Sequence, residues 1–275
     1  MPLVEPGGTY AALVAIPACN AAETIEATLE SAAASVRADR QRRDVVLSVV
    51  DDASTDRTAA LVRAFADATD VDVILTVNAA NAGRAVSRNR AVAAADADML
   101  FFLDHDDTYL PRHIALCLDA LAAERRSDFV KTGIALTDPV HPDWHPRIAG
   151  SLTQNLCVRS YCHRLIGGFV EAREVEVYGC DDVLYNDALR RFFRGVHVPD
   201  RTAVFHRRPG NSFDRQYDRK FARPPAAAEV TLRPDQRAVE EAVRELQKRR
   251  LREIAQRRQW MGLFAQMSSS RRPSK

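Results

Sequence analysis

A chain of 275 residues is long enough for one large α/β domain with a full core, or for two small domains. Its 46% hydrophobic and 28% charged residues exclude a disordered chain and one made chiefly of membrane spans. The net charge of +2 hides an asymmetry: 11 Lys and Arg face 5 Asp and Glu from Pro234 onward, against 28 and 32 before it. The basic character lies in the tail.

The longest apolar runs, residues 11–16 and 99–103, are too short to cross a bilayer and suit buried strands. Glu5, Pro6, Gly7 and Gly8 interrupt any secretory apolar region, so a cytoplasmic protein is expected, with contact at the inner face of the membrane as a variant of that reading. The five cysteines, Cys19, Cys117, Cys157, Cys162 and Cys180, include no Cys-x-x-Cys pair and read as reduced thiols. Cys157, Cys162 and His163 lie near one another, but their spacing matches no common zinc pattern.

Short apolar runs alternate with helical patterns through the first half, the signature of a mostly parallel sheet with crossover helices. Strand one covers 11–16. A helix follows with Ile25, Leu29, Ala33 and Val36 one turn apart, forming one apolar stripe. Strand two is 45–50, after which Ser54 or Thr55 is expected to cap a helix carrying Leu61, Val62 and Phe65. Strand three is 71–77, a helix spans about 85–95, and strand four is 99–103. Pro111 then suits the first turn of the next helix, and strand five covers 129–136. Asp138-Pro139, His141-Pro142 and His145-Pro146 read as a loop closing the first half. Beyond it come a helix at 182–193, a short strand at 203–206, a break at Arg223-Pro224-Pro225, a basic helix at about 235–264, and a disordered end from Ser268. The expected organisation is a domain over 1–222, divided near 137/138 into nucleotide-binding and acceptor halves, followed by a linker and helix over 223–267 and a tail over 268–275.

Polar residues gather where strands end: Pro17 to Asn20 after the first, Asp51-Asp52 after the second, Asn81-Ala82-Gly83 after the third, Asp104-His105-Asp106-Asp107 after the fourth. Ligands of open α/β sheets bind beyond the carboxyl ends of strands. Three carboxylates in four residues repel one another unless a cation offsets them, and their hard oxygens suit manganese or magnesium, which in turn hold phosphate. A solvated acidic turn is the plainer alternative. Neither a Gly-x-Gly-x-x-Gly after strand one nor a P-loop is present, which argues against dinucleotide or P-loop chemistry.

These segments, taken in order with Ser87-Arg88-Asn89, Leu110-Pro111, Gly167-Gly168-Phe169 and Asp181-Asp182, resemble inverting glycosyltransferase family 2 across roughly residues 11–212. The resemblance implies a GT-A fold, α/β with a mostly parallel central sheet flanked by helices, and a nucleotide-diphospho-sugar donor, uridine being the expected base. It implies that Asp52 meets the base near Pro17 and Asn20, that Asp104 lies by the donor ribose and sugar, and that Asp106 ligates a divalent metal, Mn2+ or Mg2+. Asp107 shares one of these tasks. Arg88 supports the donor pocket or simply pairs with a neighbouring carboxylate. Asp182 takes the position of the catalytic base, or caps the helix that begins there. An ordinary Asp, with a pKa of about 3.9, is a weak base toward a hydroxyl. His206 is a candidate additional metal ligand, and Arg207 or Arg208 a phosphate partner.

Two departures bear on the base: Cys19 stands where the family has an aromatic, and Ala53 where glycine is usual. The expected reaction is a hexosyltransferase-like single displacement, metal-assisted and inverting, on an acceptor that is a carbohydrate, lipid-linked or a protein. An inactive nucleotide-sugar binding subunit and a nucleotidyltransferase are the alternatives. The terminal helix, with Val239, Val243, Leu246, Leu251, Ile254, Trp260 and Phe264, suits anionic lipid, packing on the domain, or a homo-oligomer. Nucleic acid is not an expected partner.

Overall fold

A computed structural model describes residues 3–138, 144–207 and 234–269. One eight-stranded sheet runs in the order β3-β2-β1-β4-β7-β6-β8-β5. Its first half follows the alternation of the sequence: β1 (Thr9–Ala18), α1 (Ile25–Arg37), β2 (Val45–Asp51), α2 (Thr58–Ala68), β3 (Asp72–Val77), α3 (Arg84–Ala93) and β4 (Asp96–Phe102). The second half holds β5 (Thr108–Tyr109), α4 (His113–Ala123), β6 (Phe129–Leu136), α5 (His145–Ser151), β7 (Leu156–Arg159), α6 (Ser160–Ile166), α7 (Arg173–Tyr178), α8 (Asp181–Phe192) and β8 (Gly195–Phe205), and α9 (Pro234–Ser269) lies beyond.

Strand β1 is central and parallel to both β2 and β4. Its side chains alternate between two cores: Ala12, Val14 and Ile16 pack with α1, α2 and α4, while Leu13 and Ala15 pack with α3, α6 and α8. A strand buried on both faces must read as an unbroken apolar run, and residues 11–16 do. The register places Ala18 beside Asp51 and Asp51 beside Val77, so three strands finish along one edge. Backbone bonds from Asp52 N to the Ala18 carbonyl and from Asn78 N to the Asp51 carbonyl carry the ladder into the loops. The positions of the polar strand-end residues are therefore fixed by the sheet.

The parallel expectation holds for this half and again where β6 lies beside β8, and only the short strands depart from it. β7 is antiparallel to both β4 and β6, and β5 is antiparallel to β8. Four-residue β7 and two-residue β5 are too short to show a period in sequence. Neither Ser54 nor Thr55 caps α2: Asp56 accepts the Thr58 amide at 2.9 Å instead, while Ser54 Oγ accepts from Asn20 N and Thr55 N donates to Asn20 Oδ1. Pro111 lies before the N-cap of α4, Arg112. His145 and Pro146 open α5 rather than continue a loop. Pro139, His141 and Pro142 lie outside the described residues, as do Arg208 and the tail after Ser269.

Helix α9 is built from strong helix formers and carries pairs such as Glu240 with Arg244 at 2.6 Å. Its apolar stripe packs on the domain. Val243 joins Val175, Cys180 and Leu184 between α7 and α8, with Val239 and Leu246 beside it, and Ile254 and Leu251 join the core under α6 and α8. Buried Arg250 donates to the carbonyls of Ile166 and Gly168, and Gln247 donates to Asp187 Oδ2 at 2.9 Å. Trp260 remains 64% exposed, and the Phe264 side chain lies outside the described ones. No helix among the described residues is long and apolar enough to cross a membrane.

Ile254 is 1% exposed, so Ile254→Ala should cost about 2–5 kcal/mol in urea unfolding. Arg249→Ala, on the exposed face of the same helix, should change stability by less than about 0.5 kcal/mol.

Candidate active site

A cavity of about 280 Å³ opens at the carboxyl edge of the sheet. Pro17, Ala18 and Cys19 line it from the end of β1, Asp52 from β2, Asn81, Gly83, Arg84 and Ser87 from the loop and start of α3, and Asp104, His105 and Asp106 from the turn after β4. Glu176 completes the wall from α7.

Asp52 organises the loop after β3. Its Oδ1 accepts from Asn78 Nδ2 at 2.7 Å and Ala82 N at 2.8 Å, and its Oδ2 from Gly83 N at 2.8 Å. A carboxylate has about four lone-pair directions, so Oδ2 keeps one for a ligand donor. Gly83 has φ 90°, a conformation that disfavours any side chain. Asn20 also has positive φ, at 49°, and its side chain holds Thr55 at the rim rather than lining the cavity. Cys19 Sγ, in place of an aromatic, accepts from Asn81 Nδ2 at 3.3 Å.

The acidic turn is pinned from below. Thr28 Oγ1, buried in α1, lies 2.8 Å from the His105 carbonyl and 2.9 Å from that of Asp107. Asp104 and Asp106 face the cavity, while Asp107 is turned away and 1% exposed. Asp107 accepts from Gln154 Nε2 and from His206 N at 2.8 Å. Burial, with Asp106 and Asp104 nearby, raises it well above the carboxylate range. Asp107 thus stitches the turn to the end of β8 and brings His206 alongside it. The His206 ring bonds Thr108 Oγ1 through Nε2 at 2.8 Å.

Behind the cavity, Arg88 on α3 is completely buried and holds three carboxylates. Nη2 donates to Asp104 Oδ1 at 2.5 Å, and Nη1 donates to Asp181 Oδ2 at 2.7 Å and to Asp182 Oδ1. Arg84, one turn earlier, donates to Asp181 Oδ1 at 2.5 Å. The Phe169 ring lies 5.0 Å from the Arg88 guanidinium, and Phe169 is itself stacked on Tyr185. Asn89 fixes the Phe169 backbone through both its N–H and its carbonyl. Gly168 allows that approach, since a Cβ there would lie 2.6 Å from Asn89 Oδ1.

Two guanidinium groups against three carboxylates leave one negative charge in a buried cluster. Burial works against the charge on Asp104 and Asp181, but Arg88 and Arg84 outweigh it and hold both below the usual range. At Asp182 burial dominates; Arg88 opposes it, Asp181 and Asp104 add to it, and the group is pushed up to about 6. It is therefore not the ordinary aspartate that sequence suggests, but a stronger base. Asp181 and Asp182 also begin α8, where negative charge is favoured, so a structural and a chemical reason coincide.

The sequence matches the model described as glycosyl transferase family 2 over residues 13–170. The chain belongs to glycosyl transferase family 2. The succinoglycan biosynthesis protein ExoU of Rhizobium meliloti (strain 1021) is 34% identical over 125 residues, which make up 46% of this chain and 33% of that protein. Residues 1–349 of S. aureus TarS in complex with UDP align with TM-score 0.60 and 21% identity, covering 72% of this chain and 61% of that one. The mannosyltransferase PcManGT from Pyrobaculum calidifontis, in complex with GDP-Man and Mn2+, aligns with TM-score 0.60 and 20% identity, covering 94% of this chain and 77% of that one. The chain thus spans about a third of its curated relative and less than two thirds of TarS 1–349. The fold is GT-A, a mixed sheet flanked by helices.

Within this family member, Pro17, Asp52, Asp104 and Asp106 lie together on the cavity, with Arg88, Asp182, Asp107 and His206 packed around it. Arg84, Gln154, Asn186, Lys131 and Glu176 were not singled out from sequence. Arg84 had a signal, since four residues before Arg88 is the same helix face. Lys131 donates to Leu152 O at 2.7 Å and to Asn186 Oδ1 at 3.0 Å, and Asn186 donates in turn to the Asp182 carbonyl at 2.9 Å. Nothing in sequence pairs residues from β6 and α8.

Removing Arg88 leaves three buried carboxylates short of a partner. Arg88→Ala should cost about 3–5 kcal/mol in chemical denaturation. Arg88→Lys, which keeps the charge and loses the planar fork, should recover only part of that.

Proposed function

We propose that the protein is an inverting, metal-assisted glycosyltransferase that moves a sugar from a nucleoside diphosphate, uridine first among the bases, to an acceptor hydroxyl. The observation that carries this is the Arg88 cluster. It joins Asp104, on the cavity wall, to Asp182, a buried carboxylate behind that wall whose pKa is raised to about 6. Membership of the family supports transferase activity, and PcManGT and TarS are structural neighbours solved with a nucleotide sugar or a nucleotide.

Pro17, Cys19 and Asp52 form the end of the cavity suited to the base, where the remaining Asp52 lone pair accepts an N–H such as that of uracil. The Asp104 and Asp106 end suits the diphosphate only with a cation. Among the described residues four carboxylates face the cavity, those of Asp52, Asp104, Asp106 and Glu176, and one cationic side chain, Arg84, which is paired with Asp181. Among the described residues no three His, Cys, Asp or Glu side chains gather as a ready-made cage. One or two carboxylates completed by phosphate oxygens is the ordinary way magnesium or manganese meets a nucleotide. Asp106 would hold the ion, with Asp104 beside it and His206 on the flank. When bound, that ion neutralises the departing diphosphate.

Asp182 takes the acceptor proton as the new carbon–oxygen bond forms on the face opposite the leaving group, which inverts the anomeric centre. Arg88 holds the carboxylate in place, and the Asn186–Lys131 chain holds the backbone of its helix turn.

Because Asp182 is raised, kcat/KM should fall as pH drops through about 6, where the base becomes protonated, and not through the usual carboxylate range near 4. An initial-rate pH profile with a neutral-sugar donor tests this, and a limb at about 4 would remove Asp182 from the role. Asp182→Asn should lower kcat by at least about a hundredfold and leave nucleotide affinity nearly unchanged. Wild-type turnover in that variant contradicts the assignment.

A further inference from the structure

Glu176 has no part in the reaction just described, yet its carboxylate forms one wall of the donor cavity. Helix α7 puts it there. Val175 is fully buried against Cys180, Leu184 and Val243 of α9, which fixes the rotation of this short helix, and Gly179 ends it in the left-handed conformation. Adjacent residues on a helix are about 100° apart, so anchoring Val175 inward aims Glu176 across the cavity mouth.

The opposite wall is shaped to receive it. A Cβ on Gly83 would lie 2.5 Å from Glu176 Oε1 and 2.7 Å from Oε2. Glycine there, required in any case by its φ of 90°, lets the carboxylate lie in this place without being displaced. Glu176 thus meets the loop that Asp52 organises, and among the described residues four carboxylates surround a space whose one cationic side chain, Arg84, is engaged by Asp181. Beside the proposed phosphates and their cation, these described groups favour an occupant that donates hydrogen bonds and carries no negative charge.

We propose that Glu176 is a specificity-determining residue for the donor sugar, accepting hydroxyl hydrogen bonds from a neutral hexose and excluding sugars that bear a carboxylate. This rests on reading the cavity as a nucleotide-sugar site. A carboxylate makes two charge-assisted bonds to a pair of neighbouring hydroxyls, and faces direct repulsion from a uronate.

Calorimetry with the full chain and manganese tests the proposal, using UDP, GDP, UDP-glucose, UDP-N-acetylglucosamine, GDP-mannose and UDP-glucuronic acid as probes. The expected wild-type result is binding of at least one nucleotide, and of its neutral sugar conjugate at least about tenfold more tightly than the glucuronate. Glu176→Ala should leave the free nucleotide within twofold and weaken the neutral conjugate about tenfold, the loss of a hydrogen bond to a charged group. Glu176→Gln, which keeps an acceptor and loses the charge, should narrow the gap to the glucuronate to less than about threefold. Glu176 is exposed, so both variants should melt as wild type does. If both discriminate as wild type does, or if wild type binds the glucuronate equally well, Glu176 has no such role. If wild type binds neither nucleotide, the donor-site reading fails and takes this inference with it.

Discussion

Arg88 is a fully buried guanidinium group facing three carboxylates from two distant parts of the chain, and the site is built around it. A buried cation needs partners, and Asp104 after β4 and Asp181 and Asp182 at the start of α8 supply them. The same bonds bring the cavity edge of the sheet and the proposed base to either side of one planar group. Arg84 adds a second positive charge, so among the described residues the cluster keeps a net negative charge. That residual charge, together with burial, raises Asp182. The geometry that holds the site together therefore also sets its chemistry.

The remaining scaffold serves this arrangement. Strand β1, covered on both faces, fixes the edge from which Pro17, Asp52 and Asp104 project. Phe169, held by Asn89 and stacked on Tyr185, gives Arg88 an aromatic face in a place where water cannot reach. Helix α9 lies far along the sequence, yet packs beneath α6, α7 and α8 through Val243, Arg250 and Ile254, so the rotation of α7 and the seat of α8 depend on it. Basic residues of the tail are thus only partly a surface feature: Arg250 is spent on carbonyls of the loop that carries Gly168.

Much of this was legible in sequence, and the reasons differ by residue. The parallel half shows itself because strands buried on both faces are continuous apolar runs, and the chain leaves each one with a polar or glycine residue. The runs Asp51-Asp52 and Asp104 to Asp107 could be chosen for that reason alone, while Asp52, Asp104 and Asp106 were singled out within them through the resemblance. Asp182 and Arg88 could be named through resemblance, but not their bond, because contact across more than ninety residues leaves no local period. The raised state of Asp182 was illegible for the same reason, since it depends on burial and on a count of charges that only the folded chain brings together. Glu176 was hidden by the brevity of α7: six residues with one buried apolar position show no helical stripe. Ser54 and Thr55 illustrate a different failure. They have the right chemistry for a cap, but Asn20 reaches them from the turn after β1, and Asp56 accepts the first helical amide instead.

In the proposed reaction the cavity at the sheet edge binds a nucleoside diphosphate through a divalent ion held by Asp106. Titration calorimetry of UDP and GDP against wild type and Asp106→Asn, each with manganese and with chelator, tests it most directly. Wild type should bind one nucleotide, at least about tenfold more weakly in chelator, and the variant should show a comparable loss even with manganese present. Equal affinity with and without the ion, or a variant that binds as wild type does, would contradict it.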